Sequence, residues 1–410
     1  MAEEFPPKIQ KLILADSIFT PAAPIDKKDL FAGRVEQIKL VYDTINERGR
    51  HAIMYGERGV GKTSLANIIN ELLPKALVVK VSCDTSDNFS TIWYKLLKRI
   101  TLTHEQQKLV GYKERKEEQV ITLNGLLPRD GKGRLKGVLP DNIISIFEKT
   151  KVFTILILDE FDRITDERTK DLFSDIIKSF SDTIPFITLV LVGVARTVED
   201  LIGSHASIER NLRQIRLPRM SADELEEIIN KGLTTLQLNI SPELILHITR
   251  LSQGFPHYTH LLAKYSAKQA INAERNEILL ADFKIAIERA IEDTQESIRE
   301  AYQRATIATK KSMFHEVLLA CALAKEDEHG TFQVRDVQEP LRMVAGKEHK
   351  LTDFIYHIGK LCSEERGNVL EKEGRPKRFR YRFKNPLLKP YAILRGISTG
   401  ILKEDLLLLI

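Results

Sequence analysis

The feature that most constrains this chain is an eight-residue stretch, residues 56–63, which matches the pattern G-x-x-x-x-G-K-[ST] at every fixed position. Glycines let backbone N–H groups turn inward around an anion, and the dipole of the following helix adds to the attraction. Lys62 would reach the β- and γ-phosphates of a nucleotide, and the Thr63 hydroxyl would hold Mg²⁺. The predicted nucleotide contacts here are Gly56, Glu57, Arg58, Gly59, Val60, Gly61, Lys62, Thr63 and Ser64.

The sequence on either side places this loop between a strand and a helix. Residues 51–55 resemble a short buried strand, and residues 64–73 have the periodicity of an amphipathic helix. A glycine-rich surface turn with a solvated lysine would not need that order. The sequence therefore predicts a nucleotide site.

Composition narrows the class of protein. A chain of 410 residues with 43% hydrophobic and 29% charged residues is typical of a globular protein with two or three domains. No apolar run approaches the roughly 18 residues that span a bilayer, and the acidic, proline-bearing start differs from a secretory signal. Cys83, Cys321 and Cys362 lie far apart, as expected for reduced thiols. We expect a cytoplasmic protein without a membrane partner.

The pattern of apolar runs predicts the domain organisation. Residues 1–30 contain four prolines and are expected to form an extended lead-in. Strands alternate with helices over residues 50–217, which predicts an α/β domain at 31–218 with the parallel sheet of a P-loop NTPase. A polar insertion at 101–140 has no assigned chemistry. Capping signals from Ser221 onward predict a helical lid and linker helix at 219–308, with one long helix near 281–308.

The remaining residues, 309–410, are predicted to form a winged-helix domain. Helices are expected at 311–324, 334–344 and 349–362, followed by a hairpin around residues 368–383. Residues 371–395 hold nine Lys/Arg and two Asp/Glu, so this segment carries the basic excess of the chain. We expect the helix near 349–362 to enter the major groove of DNA. The predicted DNA contacts are Arg375, Lys377, Arg378, Arg380 and Arg382. The alternative is a winged helix that contacts protein, with a solvated basic hairpin.

Two acidic residues directly follow the apolar run at 152–158. Asp159 would hold Mg²⁺ through its water shell, and Glu160 would polarise the water that attacks the γ-phosphate. Together with the phosphate loop they indicate a Walker B pair.

The phosphate loop, residues 158–162, residues 31–34 and the three-helix lid together resemble AAA+ ATPases of the initiator clade, which are similar to origin-recognition and replication-initiator proteins. STAND-type regulatory ATPases and transposon-encoded ATPases contain similar modules. The resemblance covers residues 28–300, or extends to 395 with the winged helix. It implies ATP and Mg²⁺ as cofactors, with Arg34 and Val35 near the base or ribose. It also implies an arginine finger at Arg210, with Arg213 as the competing candidate, and therefore self-association or a partner ATPase.

Two positions depart from the initiator pattern. Arg196 stands where these relatives carry a polar sensor, usually asparagine, and it could contact the γ-phosphate instead. Residues 254–258, Gly-Phe-Pro-His-Tyr, replace the usual sensor arginine and are similar to the Gly-x-Pro module of STAND proteins. His257 is then a candidate phosphate sensor, or else a partly buried histidine at a helix start.

The first functional hypothesis is an ATPase with slow, regulatory turnover that couples nucleotide state to DNA binding and assembly. The alternative is a STAND-type regulatory or defence ATPase whose winged helix binds a protein partner. A small-molecule kinase fits less well, because the sequence has a helical lid, a winged-helix tail and no evident acceptor site.

Overall fold

The structure, a computed structural model, describes residues 5–25, 31–110, 113–150, 152–203, 206–307, 312–376 and 378–402. The first part of the chain contains α1 (Pro7–Ile18), α2 (Val35–Asn46), β1 (His51–Gly56), α3 (Lys62–Leu72), β2 (Leu77–Ser82), α4 (Phe89–Lys98), β3 (Thr101–Val110), β4 (Lys113–Thr122), α5 (Pro140–Thr150), β5 (Thr154–Asp159), α6 (Glu167–Thr183), β6 (Ile187–Val194), α7 (Glu199–Ile202) and β7 (Leu212–Arg216). The second part contains α8 (Ala222–Leu236), β8 (Asn239–Ile240), α9 (Pro242–Ser252), α10 (Pro256–Asn272), β9 (Glu277–Ile278), α11 (Leu280–Glu292), α12 (Glu296–Thr306), α13 (Phe314–Leu323), α14 (Gln338–Ala345), α15 (Leu351–Leu361), β10 (Leu370–Glu373), β11 (Arg380–Phe383) and α16 (Leu388–Ser398).

A five-stranded parallel sheet forms the centre of the first half, with strand order β2-β5-β6-β1-β7. Successive residues of each strand point to opposite faces. Ile157 and Val190 pack on the α3 side, whereas Leu156 and Leu189 pack on the α4 and α6 side. The predicted α/β class is confirmed, and the carboxyl ends of β1 and β5 lie on either side of the end of β6.

The predicted extended lead-in is wrong for residues 7–18, which form α1. Pro7 occupies the first turn, where its missing N–H has no helical partner in any case. Ala15 and Ile18 of this helix are buried, and Phe19 follows against α8, where a Cβ on Gly232 would lie 2.3 Å from its ring. Gly232 therefore makes room for the N-terminal segment.

The lid region differs from the prediction in one element. The long helix expected at 281–308 is two helices, α11 and α12, separated by residues 293–295. The Thr294 hydroxyl donates to the carbonyl of Ala290 and helps to end α11. The 101–140 insertion includes the antiparallel hairpin of β3 and β4.

The region from residue 312 to residue 402, called the C-terminal unit below, has the predicted order of three helices and a hairpin. β10 pairs antiparallel with β11, and Phe332 forms an additional bridge to Tyr381. Helix α16, which the sequence analysis did not predict, packs on α13, with Gly396 against Leu319. Within the described ranges, no helix has both the length and the apolar character to span a membrane.

Candidate functional site

The phosphate loop connects β1 to α3 and has the backbone shape its glycines allow. Gly59 and Gly61 have φ values of +86° and +94°, which side-chain-bearing residues rarely adopt. Lys62 is buried at the start of α3, and its Nζ donates to the carbonyls of Gly56 at 3.0 Å and Glu57 at 2.7 Å. Burial lowers the pKa of Lys62 to about 8, against the opposing effect of nearby carboxylates. The loop thus holds a buried ammonium group where the phosphates of a nucleotide would lie.

A cavity of about 750 Å³ opens over this loop, a size that suits a nucleotide. Part of its wall is apolar and comes from Phe31, Ala32, Met220 and Ile228, while residues 20–25 cover another side. Buried polar atoms without a partner also belong to lining residues, namely Arg34 Nη1, His257 Nε2 and both ring nitrogens of His260. An apolar wall, an anion cradle and unsatisfied polar atoms together fit a nucleotide.

Arg34 lines the cavity, and its guanidinium holds two segments of the protein together. It donates from Nη2 to the carbonyls of Val60 at 2.8 Å and Pro218 at 2.7 Å, so it joins the phosphate loop to the segment that enters the lid. Its left-handed backbone, with φ of 59°, turns the chain so that Val35 points to solvent with 76% of its surface exposed. Val35 thus lies outside the cavity lining, and the prediction that it lies near the base or ribose is wrong.

The two residues expected to hold Mg²⁺ lie next to each other, Thr63 in the first turn of α3 and Asp159 at the end of β5. Thr63 Oγ1 lies 3.4 Å from Asp159 Oδ1, and Lys80 Nζ lies 2.9 Å from Asp159 Oδ2. Hydroxyl and carboxylate oxygens are the ligands that Mg²⁺ prefers, directly or through its water shell. The donor set therefore fits the ion.

Glu160 follows Asp159 in a left-handed conformation and has a half-exposed side chain that lies 3.2 Å from Arg163. Asp162, two residues further along the chain, lines the cavity and accepts the N–H of Val194 at 2.8 Å. Asp162 is one of the carboxylates that act on the charge of Lys62. Neither Asp162 nor Lys80 had a role predicted from the sequence. Two features of the sequence could have indicated them: the second acid in Asp-Glu-Phe-Asp, and a lysine within an otherwise apolar strand.

The two candidate sensors have different surroundings. His257 lines the cavity at the start of α10, where its Nδ1 lies 2.8 Å from the carbonyl of Pro21 and burial lowers its pKa. Arg196 instead forms ion pairs with Glu371 at 3.2 Å and Glu373 at 2.5 Å. Since it lines a second cleft and not the cavity, the structure does not bring Arg196 to the phosphate site.

The two candidate arginine fingers are also distinguished. Arg210 is exposed at the end of a short 3₁₀ segment, outside the cavity lining, with Nε 3.3 Å from Asn211 Oδ1. Arg213 lies in β7 and pairs with Glu47 at 3.4 Å. An arginine that acts on a neighbouring subunit must be accessible, and this condition favours Arg210.

The C-terminal unit is in direct contact with the phosphate loop. Glu57 pairs with Arg219 at 2.7 Å, Arg219 pairs with Glu326 at 2.5 Å, and Glu326 pairs with Lys389 at 2.7 Å. A Cβ on Gly59 would lie 2.8 Å from Leu387 Cδ2. We call the four charged residues Glu57, Arg219, Glu326 and Lys389 the inter-unit charge cluster.

The predicted DNA-contacting residues fall into two groups. Arg380 pairs with Asp327 at 2.7 Å, and Arg382 pairs with Glu371 and Glu373, so both are held within the protein. Arg375 and Arg378 are exposed at the hairpin tip, with no ion pair to any residue in the described ranges. Lys377 lies outside the described residues. Nearby acids therefore neutralise Arg380 and Arg382, whereas Arg375 and Arg378 keep exposed charges, and DNA contact by these arginines stays a prediction.

The sequence is similar to known proteins. Residues 30–190 match the AAA ATPase domain family. Over 400 residues the chain is 24% identical to an ORC1-type DNA replication protein 2 from Thermoplasma acidophilum, covering 89% of this chain and 88% of the relative.

Solved structures give a similar picture of the fold. A Walker-type ATPase from Pyrococcus abyssi has a TM-score of 0.50 at 16% identity, covering 92% of this chain and 99% of the other. Cdc6p from Pyrobaculum aerophilum has a TM-score of 0.47 at 16% identity, covering 95% and 98%. Residues 30–190 therefore form an AAA ATPase domain, and the chain as a whole is similar to an ORC1-type DNA replication protein.

Proposed function

We propose that this ATPase binds ATP with Mg²⁺, and that its nucleotide state controls the docking of the C-terminal unit and, through it, DNA binding and assembly. The observation that carries the proposal is the inter-unit charge cluster. It begins at Glu57, inside the phosphate loop, and ends at Lys389, in α16.

Each of five residues of the chain would have its own role in ATP hydrolysis. Lys62 would leave the carbonyls of Gly56 and Glu57 and bind the phosphates, since a buried ammonium gains most from an anion. Thr63 and Asp159 would hold Mg²⁺, which neutralises phosphate charge when bound. Glu160 would accept the proton of the attacking water. Arg210 of one subunit would reach the cavity of another and stabilise the developing charge.

The coupling to the C-terminal unit follows from burial. The side chains of Glu326 and Lys389 are buried, and those of Glu57 and Arg219 are partly buried. Breaking one of these ion pairs therefore leaves a buried charge without its partner. The release of Lys62 from the Glu57 carbonyl moves the same residue whose carboxylate holds Arg219. A shift of the phosphate loop would therefore reach Glu326 and Lys389.

Support for DNA as the ligand comes from the exposed hairpin tip, where Arg375 and Arg378 are free to contact phosphates. The curated relative carries the name of a DNA replication protein. We infer that the hairpin tip makes backbone contacts and that α15 contributes little sequence reading.

A protein partner is the second candidate, favoured by the outer face of α15. Leu351, Ile355 and Tyr356 are exposed there, beside Thr352 and Asp353. A helix that reads bases usually presents Arg, Lys, Asn or Gln. An apolar and aromatic face is more typical of a contact with protein.

DNA binding measured with ATP, ADP or no nucleotide over a salt series separates the two candidates. The first predicts binding at low salt that changes with the nucleotide and declines steeply as salt rises. Absence of DNA binding at low salt in every nucleotide state would remove DNA as the ligand and leave the protein partner.

A further inference from the structure

Lys80 is a charged residue in the middle of an otherwise apolar strand, and the register of that strand explains how its side chain reaches Asp159. In β2 it is paired with Ile157, while Ser82 is paired with Asp159. Because side chains alternate between the two faces of a sheet, Lys80 points to the same face as Ile157 and Asp159, the one that α3 covers. Its side chain therefore runs along the sheet toward the acidic end of β5.

The ammonium group of Lys80 is held on two sides. It lies 2.9 Å from Asp159 Oδ2 and donates to Asn67 Oδ1 in α3 at 2.6 Å. The other carboxylate oxygen, Oδ1, lies 3.4 Å from the hydroxyl of Thr63. The two oxygens of Asp159 thus have different partners, one facing Lys80 and one facing the expected Mg²⁺ position.

We propose that Lys80 is a positioning residue for Asp159: it fixes Oδ2 so that Oδ1 faces Thr63 and the site of Mg²⁺. This role rests on the proposed Mg²⁺–nucleotide site. The Asp159 side chain is only 5% exposed, so loss of the ammonium leaves Oδ2 with less compensation than an exposed carboxylate would have. Outer partners that orient a metal ligand commonly change metal affinity by about 10- to 100-fold.

A different role for the same contact makes the opposite prediction. If Lys80 merely filled the cation position until Mg²⁺ arrived, removing its charge would strengthen Mg²⁺ binding. The contact with Asn67, one turn of α3 beyond Thr63, argues against this, because it gives the ammonium a second partner that can hold it in place when Mg²⁺ binds. The two roles therefore differ in the sign of one measurable change.

The test is the binding of a fluorescent, non-hydrolysable ATP analogue to the full chain, titrated with MgCl₂ and repeated in EDTA. For Lys80→Met we expect the half-saturating Mg²⁺ concentration to rise about tenfold, while affinity in EDTA stays within about threefold of wild type. Lys80→Arg should restore most of the Mg²⁺ response, because it replaces the charge. Asn67→Ala, which keeps Lys80 but removes its anchor, should show a smaller rise.

Lys95→Met is the matched control, because Lys95 also holds two side-chain oxygens, those of Asp84 and Asp87, but lies outside the cavity lining. It should leave the Mg²⁺ response unchanged. An unchanged or lower half-saturating Mg²⁺ concentration in folded Lys80→Met and Asn67→Ala would overturn the role of Lys80. A wild-type protein with no Mg²⁺ response at all would remove the proposed Mg²⁺ site itself, and with it this role.

Discussion

Arg219 Nε lies 2.7 Å from the carboxylate of Glu57, so a residue of the phosphate loop is ion-paired to the arginine that also holds the C-terminal unit. The glycines and the lysine of a phosphate loop are the residues that bind the phosphates. In this chain a variable position of the loop carries the link between the nucleotide site and the rest of the molecule.

Glu57→Gln tests that link without changing side-chain volume. The variant leaves Arg219 paired to Glu326 alone, and we expect the docking of the C-terminal unit to weaken by about 1 kcal/mol, since Glu57 is partly exposed. Faster trypsin cleavage between residues 307 and 330 would report the change. Glu47→Gln, which removes surface pairs with Arg50 and Arg213, is the control and should leave cleavage unchanged.

Glu160→Gln separates binding from hydrolysis. The amide cannot accept a proton, so we expect turnover to decrease by about 100-fold or more, while affinity for ATP stays close to wild type. Lys62→Met should instead lose ATP binding, because it removes the buried ammonium. ATP hydrolysis and nucleotide binding measured side by side distinguish the two. Wild-type turnover in Glu160→Gln would contradict the role of this residue.

Arg210→Ala tests action on a neighbouring subunit. The variant should bind ATP normally and hydrolyse it about 10³-fold more slowly, the scale expected for an arginine finger. Mixing it with Glu160→Gln should restore part of the activity, because each variant supplies the group that the other lacks. Arg213→Ala is the matched control in the same segment. Lack of restoration in mixtures that associate would show that Arg210 does not act between subunits.

The hairpin tip makes a quantitative salt prediction. Replacing Arg375 and Arg378 with glutamine removes up to two phosphate contacts, so the slope of log affinity against log salt should decrease by about 2. Replacing Arg380, which is neutralised by Asp327, should change the slope much less. Equal changes in slope for the two replacements would contradict the distinction between the exposed hairpin tip and the ion-paired Arg380.

The pH dependence of stability should include a contribution from His51. Burial lowers the pKa of His51 to about 4, from an ordinary value near 6.5, and its Nδ1 accepts the N–H of Leu189. The unfolded chain therefore binds the extra proton between pH 6.5 and pH 4. His51 then stabilises the fold fully above pH 6.5, and this contribution decreases as pH falls.

From pH 7 to pH 5 the decrease is about 2 kcal/mol by proton linkage. Denaturant unfolding of wild type and His51→Gln at both pH values measures it. Glutamine keeps an acceptor but does not titrate, so the variant should show the smaller decrease. Parallel pH profiles would contradict the assignment.

Local motifs explain what the sequence predicted well. The phosphate loop, the apolar strand before Asp159 and the acid pair are contiguous, and their geometry depends on a few neighbouring residues. The sheet followed because apolar runs of strand length alternate with helical periodicity.

Contacts between segments far apart in the chain explain which features could not be predicted from the sequence. Arg196 is 175 residues from Glu371, and Lys80 is bound to Asp159 across two strands, so neither partnership leaves a local pattern. Prolines suggested an extended start, yet Pro7 fits the first turn of α1 and burial of Ala15 and Ile18 stabilises the helix. Charge counting also treated the hairpin arginines alike, although acids neutralise Arg380 and Arg382.

Hydrogen exchange at residues 384–398 of Glu160→Gln, with Mg²⁺–ATP and without nucleotide, tests the central claim most directly. This segment contains Leu387, which contacts Gly59 of the phosphate loop, and Lys389, which belongs to the inter-unit charge cluster. We expect faster exchange with ATP, because movement of Lys62 to the phosphates disturbs Glu57, and no difference in Lys62→Met. Identical exchange with and without bound ATP would contradict the proposal that nucleotide state controls the C-terminal unit.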